Sequence, residues 1–308
     1  MRAFIFPGQG SQAVGMGAAL ADASRAAKDV FDEVDEALGQ NLFRLMREGP
    51  EEELKLTENA QPAIMANSIA VLKTMGVRLA DVASFVAGHS LGEYSALCAA
   101  GSFDLSTTAK LLRLRGQAMQ EAVPVGEGAM AALLGADLSL AQKIADAAAE
   151  GEVCTVANDN DPSQVVISGA KGAIDRAVQI AKDMGAKRAV LLPVSAPFHC
   201  PLMQPAAEAM ADALSYVVLQ PPAVPVFSNV TAEPATDPDT IRNQLVEQVT
   251  GMVRWRESVA NLFDAGVYEF VEVGGKVLGS MVKRITPDAT VTSVVTIEDV
   301  EALAKEIA

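Results

Sequence analysis

Along the chain, short unbroken apolar runs alternate with longer stretches in which apolar residues recur at three- and four-residue spacing. "RAFIF" at the start is such a run, stopped by "PGQGSQ", and reads as a buried strand feeding a turn. "SRAAKDVFDEVDEALG" has helical period and ends near Gly39. "NAQPAIMANSIAVLKTMG" is a second predicted helix, with Met65, Ile69 and Leu72 on one face and Gly76 as its C-terminal cap. "ASFVAG" is another short strand, followed by a small-residue helix, "LGEYSALCAAG", and a longer one, "LSTTAKLLRLRGQAMQEA". This alternation predicts a parallel sheet with helices on both faces.

The texture changes near Pro124. "GAMAALLGA" reads as a strand, "DLSLAQKIADAAAEG" as a helix with Asp137 at its N-cap, and "EVCTVAN" and "SQVVISG" as strands joined by the turn-rich "DNDP". A helix, "AKGAIDRAVQIAKDMG", and a strand, "AKRAVLLPV", complete a β-α-β-β-α-β order, that of a ferredoxin-like unit. The longer α/β pattern resumes with "VPVFSN", "YEFVEVGG" and "VTSVVTI". The expected architecture is a large α/β-hydrolase-like domain made of residues 1–123 and 196–308, carrying an inserted ferredoxin-like domain at 124–195.

Composition supports this picture and narrows the partners. Half of the residues are hydrophobic and only 5% aromatic, which suits helices on a buried sheet better than a β-sandwich. The formal charge of −15 argues against nucleic acid or an anionic membrane as partner. Cys98, Cys154 and Cys200 form neither a CxxC pair nor a metal-ligand spacing, as expected in a reducing compartment. No apolar stretch reaches the roughly 18 residues of a membrane span, and the N-terminus lacks a signal-peptide core. A soluble, cytoplasmic protein is expected.

The chemistry concentrates on "FVAGHSLGEY". Gly88-His89-Ser90-Leu91-Gly92 fits G-x-S-x-G between a strand and a helix, a turn that exposes a serine beside free helix N-terminal N–H groups. A nucleophilic serine needs a base, and the chain has two histidines. His89 adjoins a sharp reversal and is expected to be structural, whereas His199 in "VSAPFHCPLM" sits on a loop after a strand, where α/β proteins gather functional groups. The serine-hydrolase order Ser, Asp/Glu, His is not met, because more than a hundred residues follow His199 and no acid between the two stands out. The spacing of Arg113 and Arg115 puts them on different helix faces without deciding between them.

Taken together, "FPGQGSQ", "GHSLGEY", "RG" at 115–116, "SAPFH", "LVEQV…VRW" and "EVGGKVLGSMVKRI" resemble the malonyl-CoA:acyl carrier protein transacylases and the related acyltransferase domains of polyketide synthases. The resemblance spans nearly the whole chain. It implies Ser90 as acylated nucleophile, His199 as general base, and the Gln248 backbone carbonyl as the group orienting the histidine. It implies an oxyanion hole from the backbone N–H groups of Gln9 and Leu91, and Arg115 as the partner of a substrate carboxylate. Phe198 matches the form that leaves no room for a methylmalonyl methyl group. Asn158 and Asn160 match a loop facing the site, with a plain turn role equally open. Cys200 replaces a usual serine, "GMVRW" the commoner "SPVRW", and "EVGGK" the "GPGK" form.

The implied substrates are malonyl-CoA and an acyl carrier protein, with no metal or redox cofactor, and a monomer is compatible with the reading. Because such carriers are acidic, Lys187, Arg188, Lys276, Lys283 and Arg284 are the expected docking patch. A serine thioesterase, a polyketide-pathway acyltransferase and a non-catalytic malonyl-CoA sensor are the alternatives.

Overall fold

Strands that are apolar on both faces need cover on both sides, and that requirement organises the molecule. The computed structural model describes residues 1–307. Its strands are β1 (Arg2–Phe6), β2 (Phe85–Gly88), β3 (Gly128–Leu134), β4 (Cys154–Asp161), β5 (Gln164–Ala170), β6 (Arg188–Leu191), β7 (Val226–Phe227), β8 (Pro234–Ala235), β9 (Glu269–Val273) and β10 (Thr290–Val294). Six of them form one sheet in the order β10-β9-β1-β2-β7-β8. Every pair in it is parallel except the short β7–β8 hairpin at one edge. The central strand β1 is flanked by β9 and β2, and Ala3 to Phe6 are fully buried.

The helix Thr57–Met75 packs against the helices Arg25–Leu38, Leu91–Ala99 and Leu105–Glu121 and against β9. Met65, Ile69 and Leu72 are buried as their spacing predicts, but Asn59, Gln61, Asn67 and Ser68 are buried too. The one-faced pattern underestimates this helix because its polar flank is satisfied internally. Asn67 Nδ2 donates to Gly274 O at 3.0 Å and Ser68 Oγ to Val273 O at 2.9 Å, which staples the helix to the end of β9. Gly76 caps it in the left-handed region, and Asp137 caps the helix Leu138–Ala149 by accepting from Leu140 N, both as expected.

The other four strands make a separate antiparallel sheet in the order β4-β5-β3-β6, with the helices Leu138–Ala149 and Lys171–Ile180 on one side. One expectation fails here. "DNDP" is not a turn: β4 runs through Asp161, and only Pro162 and Ser163 separate it from β5. The reason is a second partner. Val253, from the body of the parallel sheet, donates its N–H to Ala157 O at 2.8 Å and accepts from Asp159 N at 3.0 Å, so β4 is paired along both edges.

Two buried aspartates reinforce this joint. Asp159 receives Arg256 at 2.8 Å, and Asp161 receives Arg284 at 2.8 Å. Burial raises the Asp159 carboxyl above its ordinary value, and the hydrogen bond from Arg256 opposes the shift. Removing the cation strands that carboxylate. Arg256→Ala is expected to destabilise the protein by about 2–3 kcal/mol, and Asp159→Asn by less, as read by urea denaturation.

Candidate active site

The chain leaves β2 at Gly88, reverses through His89 and Ser90, and enters the helix Leu91–Ala99. Three glycines make that reversal fit over the end of β1. A Cβ on Gly88 would overlap the Gly92 carbonyl, one on Gly92 would press on the carbonyls of Phe6 and Pro7, and one on Gly8 would lie 2.7 Å from His89 O. Ser90 itself is held at φ 54° and ψ −114°, a conformation disfavoured for any residue with a Cβ. Asn229 stabilises it: its Oδ1 accepts from Ser90 N at 2.7 Å while its Nδ2 donates to Gly88 O at 2.7 Å.

His199 also sits at positive φ, 57°, on the loop after β6, and is almost fully buried. Its Nδ1 lies 2.8 Å from the Gln248 backbone carbonyl, which can only accept. The proton therefore resides on Nδ1, and Nε2 offers a lone pair to the Ser90 hydroxyl 2.7 Å away. The orienting group is thus a neutral carbonyl where a hydrolase would place a carboxylate. Burial first, and the neighbouring Arg115 guanidinium second, push His199 down to about 3. These effects keep the imidazole neutral across the neutral range, with Nε2 unprotonated.

Arg115 is only 1% exposed. Its Nη2 donates to Gln248 Oε1 at 2.8 Å and to Ser90 Oγ at 3.2 Å, and its Nη1 to Gln61 Oε1 at 2.7 Å. All three partners are neutral, and Nε has none among the described residues. The side chain reaches this position because Gly116 lets its helix ride against the helix Thr57–Met75. A Cβ on Gly116 would lie 2.5 Å from Glu58 Cα and 2.7 Å from Thr57 O. Arg113 points the other way, to Asn59 and Gln40, so the structure separates the two arginines that helix spacing could not.

A cavity of about 510 Å³ opens onto these groups, lined from one side by Gln9, Ser90, Leu91 and Arg115 and from the other by Met130, Asn158, Leu192, Phe198 and His199. Among the described residues, the backbone N–H groups of Gln9 and Leu91 have no hydrogen-bond acceptor. The Gln9 side chain is turned away, accepting from Thr57 Oγ1 at 3.0 Å. A larger hollow of about 1080 Å³ lies elsewhere, beside Lys73, Cys98 and Phe103, and contains neither histidine.

Not every expected residue arrives. Asn158 lines the cavity from β4, but Asn160 does not; its Oδ1 meets His89 Nε2 at 2.8 Å. Residues two apart share one face of a regular strand, and it is the irregular register of β4, shifted between Val156 and Asn158 and again between Asp159 and Asp161, that separates the two. His89 is the structural neighbour expected, tied to Asn160 and tilted against Trp255 at 5.7 Å between ring centroids. The basic residues do not form one free patch. Arg284 is paired with Asp161, Lys283 Nζ donates to Ala289 O at 2.5 Å, and Lys276 lies 3.9 Å from Asp299. Three residues went unrecognised: Gln61, Asn229 and Glu93. Glu93 stood in plain sight in "GHSLGEY", but nothing local marks the other two.

Residues 3–294 match the sequence profile of the acyl transferase domain. The malonyl CoA-acyl carrier protein transacylase of Bacillus subtilis is 48% identical over 288 residues, 92% of this chain and 90% of that protein. The crystal structure of an acyl-carrier-protein-S-malonyltransferase from Bartonella henselae superposes with a TM-score of 0.97 at 51% identity, covering 99% of each chain. A malonyl-transacylase solved in complex with its type II PKS acyl-carrier protein superposes at 0.96 with 40% identity, again over 99% of each chain.

The depressed histidine has a stability consequence with a definite sign. Between the ordinary value of 6.5 and about 3, unfolded chains bind a proton at His199 that the folded protein refuses. Stability therefore falls as pH drops through that window. His199→Asn is expected to lose less thermal stability than the parent protein when both are taken from neutral pH to about pH 5, as followed by circular dichroism melts.

Proposed function

The chain belongs to the acyl transferase domain family, and on that premise we propose that it moves a malonyl group from malonyl-CoA to the phosphopantetheine thiol of an acyl carrier protein. The observation that carries this reading is the convergence on Ser90: a base at 2.7 Å and a buried guanidinium at 3.2 Å whose partners are all neutral. A planar cation buried without a counter-ion is an anchor for an anionic substrate group. A malonyl thioester carries a carboxylate on the acyl side; an acetyl thioester does not.

In the first half-reaction the Ser90 hydroxyl passes its proton to His199 Nε2 as Oγ attacks the thioester carbonyl. The oxyanion forms against the free N–H groups of Gln9 and Leu91. As the carbonyl re-forms, the C–S bond breaks, and CoA leaves as a thiol with the proton returned by His199. The carrier thiol then gives its proton to His199 and attacks the seryl ester, and Ser90 Oγ recovers the proton on leaving. The Gln248 carbonyl keeps His199 in the productive tautomer throughout. Arg115 holds the carboxylate, Phe198 narrows the acyl end of the cavity, and Asn158 contributes from β4. No step requires a metal or redox cofactor.

The scaffold supports the same reading. The order β4-β5-β3-β6 is that of a ferredoxin-like sheet, and the serine-bearing turn on the parallel sheet is hydrolase-like. We read residues 124–195 as an inserted domain and 1–123 with 196–308 as the domain that carries it. The carrier protein docks, in this reading, at Lys187 and Arg188, which are exposed and head the strand whose continuation, Leu192 to Val194, lines the cavity. A thioesterase would have no use for a buried arginine beside its serine.

Intact-protein mass spectrometry after brief exposure to malonyl-CoA should show one malonyl adduct, lost in Ser90→Ala and far weaker with acetyl-CoA. Arg115→Ala is expected to lower the malonyl acylation rate by roughly 100-fold or more, the scale of a lost charge-assisted pair; retained malonyl preference would refute the anchor. Reversing Lys187 and Arg188 to glutamate should raise the carrier-protein KM several-fold, on the order of a rim charge effect, and leave acylation by malonyl-CoA unchanged.

A further inference from the structure

Glu93 is a carboxylate only 2% exposed, in the first turn of the helix that follows Ser90, and the proposed chemistry gives it no part. Among the described residues it pairs with no cation directly. Its Oε2 instead accepts from two N–H groups, Gln248 Nε2 at 2.7 Å and Asn229 N at 3.1 Å. Burial holds its carboxyl at about 7, opposed by these two donors and by the charge of Arg115.

Both donors belong to residues that grip the reacting groups. Gln248 has an amide with two unlike ends. With its Nε2 committed to Glu93, and to Ser90 O at 3.1 Å, its Oε1 must face Arg115 Nη2 at 2.8 Å. Without an acceptor at position 93 the amide could turn over and present N–H to a guanidinium, two donors facing each other. Asn229 is the second arm. Its backbone N–H is fixed by Glu93, and its side chain ties down the turn leading into the strained serine by accepting from Ser90 N and donating to Gly88 O. One oxygen of Glu93 thus stands one residue away from both the carboxylate anchor and the nucleophile's backbone.

We propose that Glu93 is a positioning residue that, through Gln248 and Asn229, aligns Arg115 and Ser90 together, so that recognition of the malonyl carboxylate and presentation of the nucleophile are set by a single buried acceptor. This rests on the malonyl-transfer reading above. The required property is acceptance at the Oε2 position. A glutamine there can accept both hydrogen bonds with its amide oxygen; an alanine cannot.

The test is single-turnover acylation of the full chain by malonyl-CoA and by acetyl-CoA, read by intact mass, for the parent protein, Glu93→Ala, Glu93→Gln and Asn229→Ala. Glu93→Ala loses both arms, so malonylation should slow by roughly 100-fold and acetylation by only about 10-fold, the scale of misaligned charge-assisted hydrogen bonds. Glu93→Gln should recover the parent's malonyl-to-acetyl ratio. Asn229→Ala loses the serine arm alone and should slow both substrates alike. If Glu93→Ala does not fold, Glu93→Asp, whose shorter side chain withdraws the acceptor, carries the same expectation. Equal slowing of both substrates in the position-93 variants, or failure of glutamine to restore the ratio, would overturn the proposal. A parent protein that takes up no malonyl group would overturn the functional reading instead.

Discussion

A guanidinium buried among neutral partners is the constraint on which the rest of this site depends. Arg115 is 1% exposed, and among the described residues it hydrogen-bonds only to Gln61, Gln248 and Ser90, with its guanidinium over the Tyr94 ring at 5.7 Å from the centroid. Isolated buried charge is costly, and proteins ordinarily neutralise it with a carboxylate in contact. Here the nearest such group, Glu93, reaches the arginine only through the Gln248 amide. The arrangement leaves the cation hydrogen-bonded enough to tolerate burial yet electrostatically unfinished, and in the proposed reaction the missing partner is the carboxylate of the substrate.

That one requirement explains otherwise unrelated features of the fold. Gly116 removes a side chain where two helices must touch, because Arg115 cannot reach Gln61 and Ser90 from farther away. The helix Thr57–Met75 carries buried polar residues because it forms one wall of the same chamber and must also bind the end of β9. The histidine is oriented by a carbonyl, and a second negative charge beside it would compete with the substrate for Arg115. A dipole fixes the tautomer without that competition.

Much of this was legible in the sequence, and for a physical reason. The parallel sheet, the separate four-stranded sheet and the G-x-S-x-G turn are set by local signals: apolar runs, caps and glycines at close contacts. Ser90, His199 and Arg115 could be placed because each belongs to a short motif in family order. What could not be read depends on partners distant in sequence. β4 continues through "DND" because Val253, about ninety residues on, supplies a second edge, and no local turn propensity reports that. Asn160 turns to His89 for the same kind of reason. Arg284 looked like a free surface cation until Asp161, 123 positions earlier, claimed it.

The contrast between Glu93 and Asn229 sharpens the point. Glu93 lies three residues after Ser90, where a glutamate at a helix N-terminus is ordinarily explained by the dipole and capping. Only its burial and its two donors set it apart from such a residue. Asn229 follows a two-residue strand and would pass as a loop residue, although its side chain ties down the turn that leads into Ser90. Motifs record the groups that touch substrate, because those must be of one type. The groups that aim them are selected by geometry, which is settled only when the chain has closed on itself. A reader of sequence therefore finds the chemistry before the alignment that makes it work.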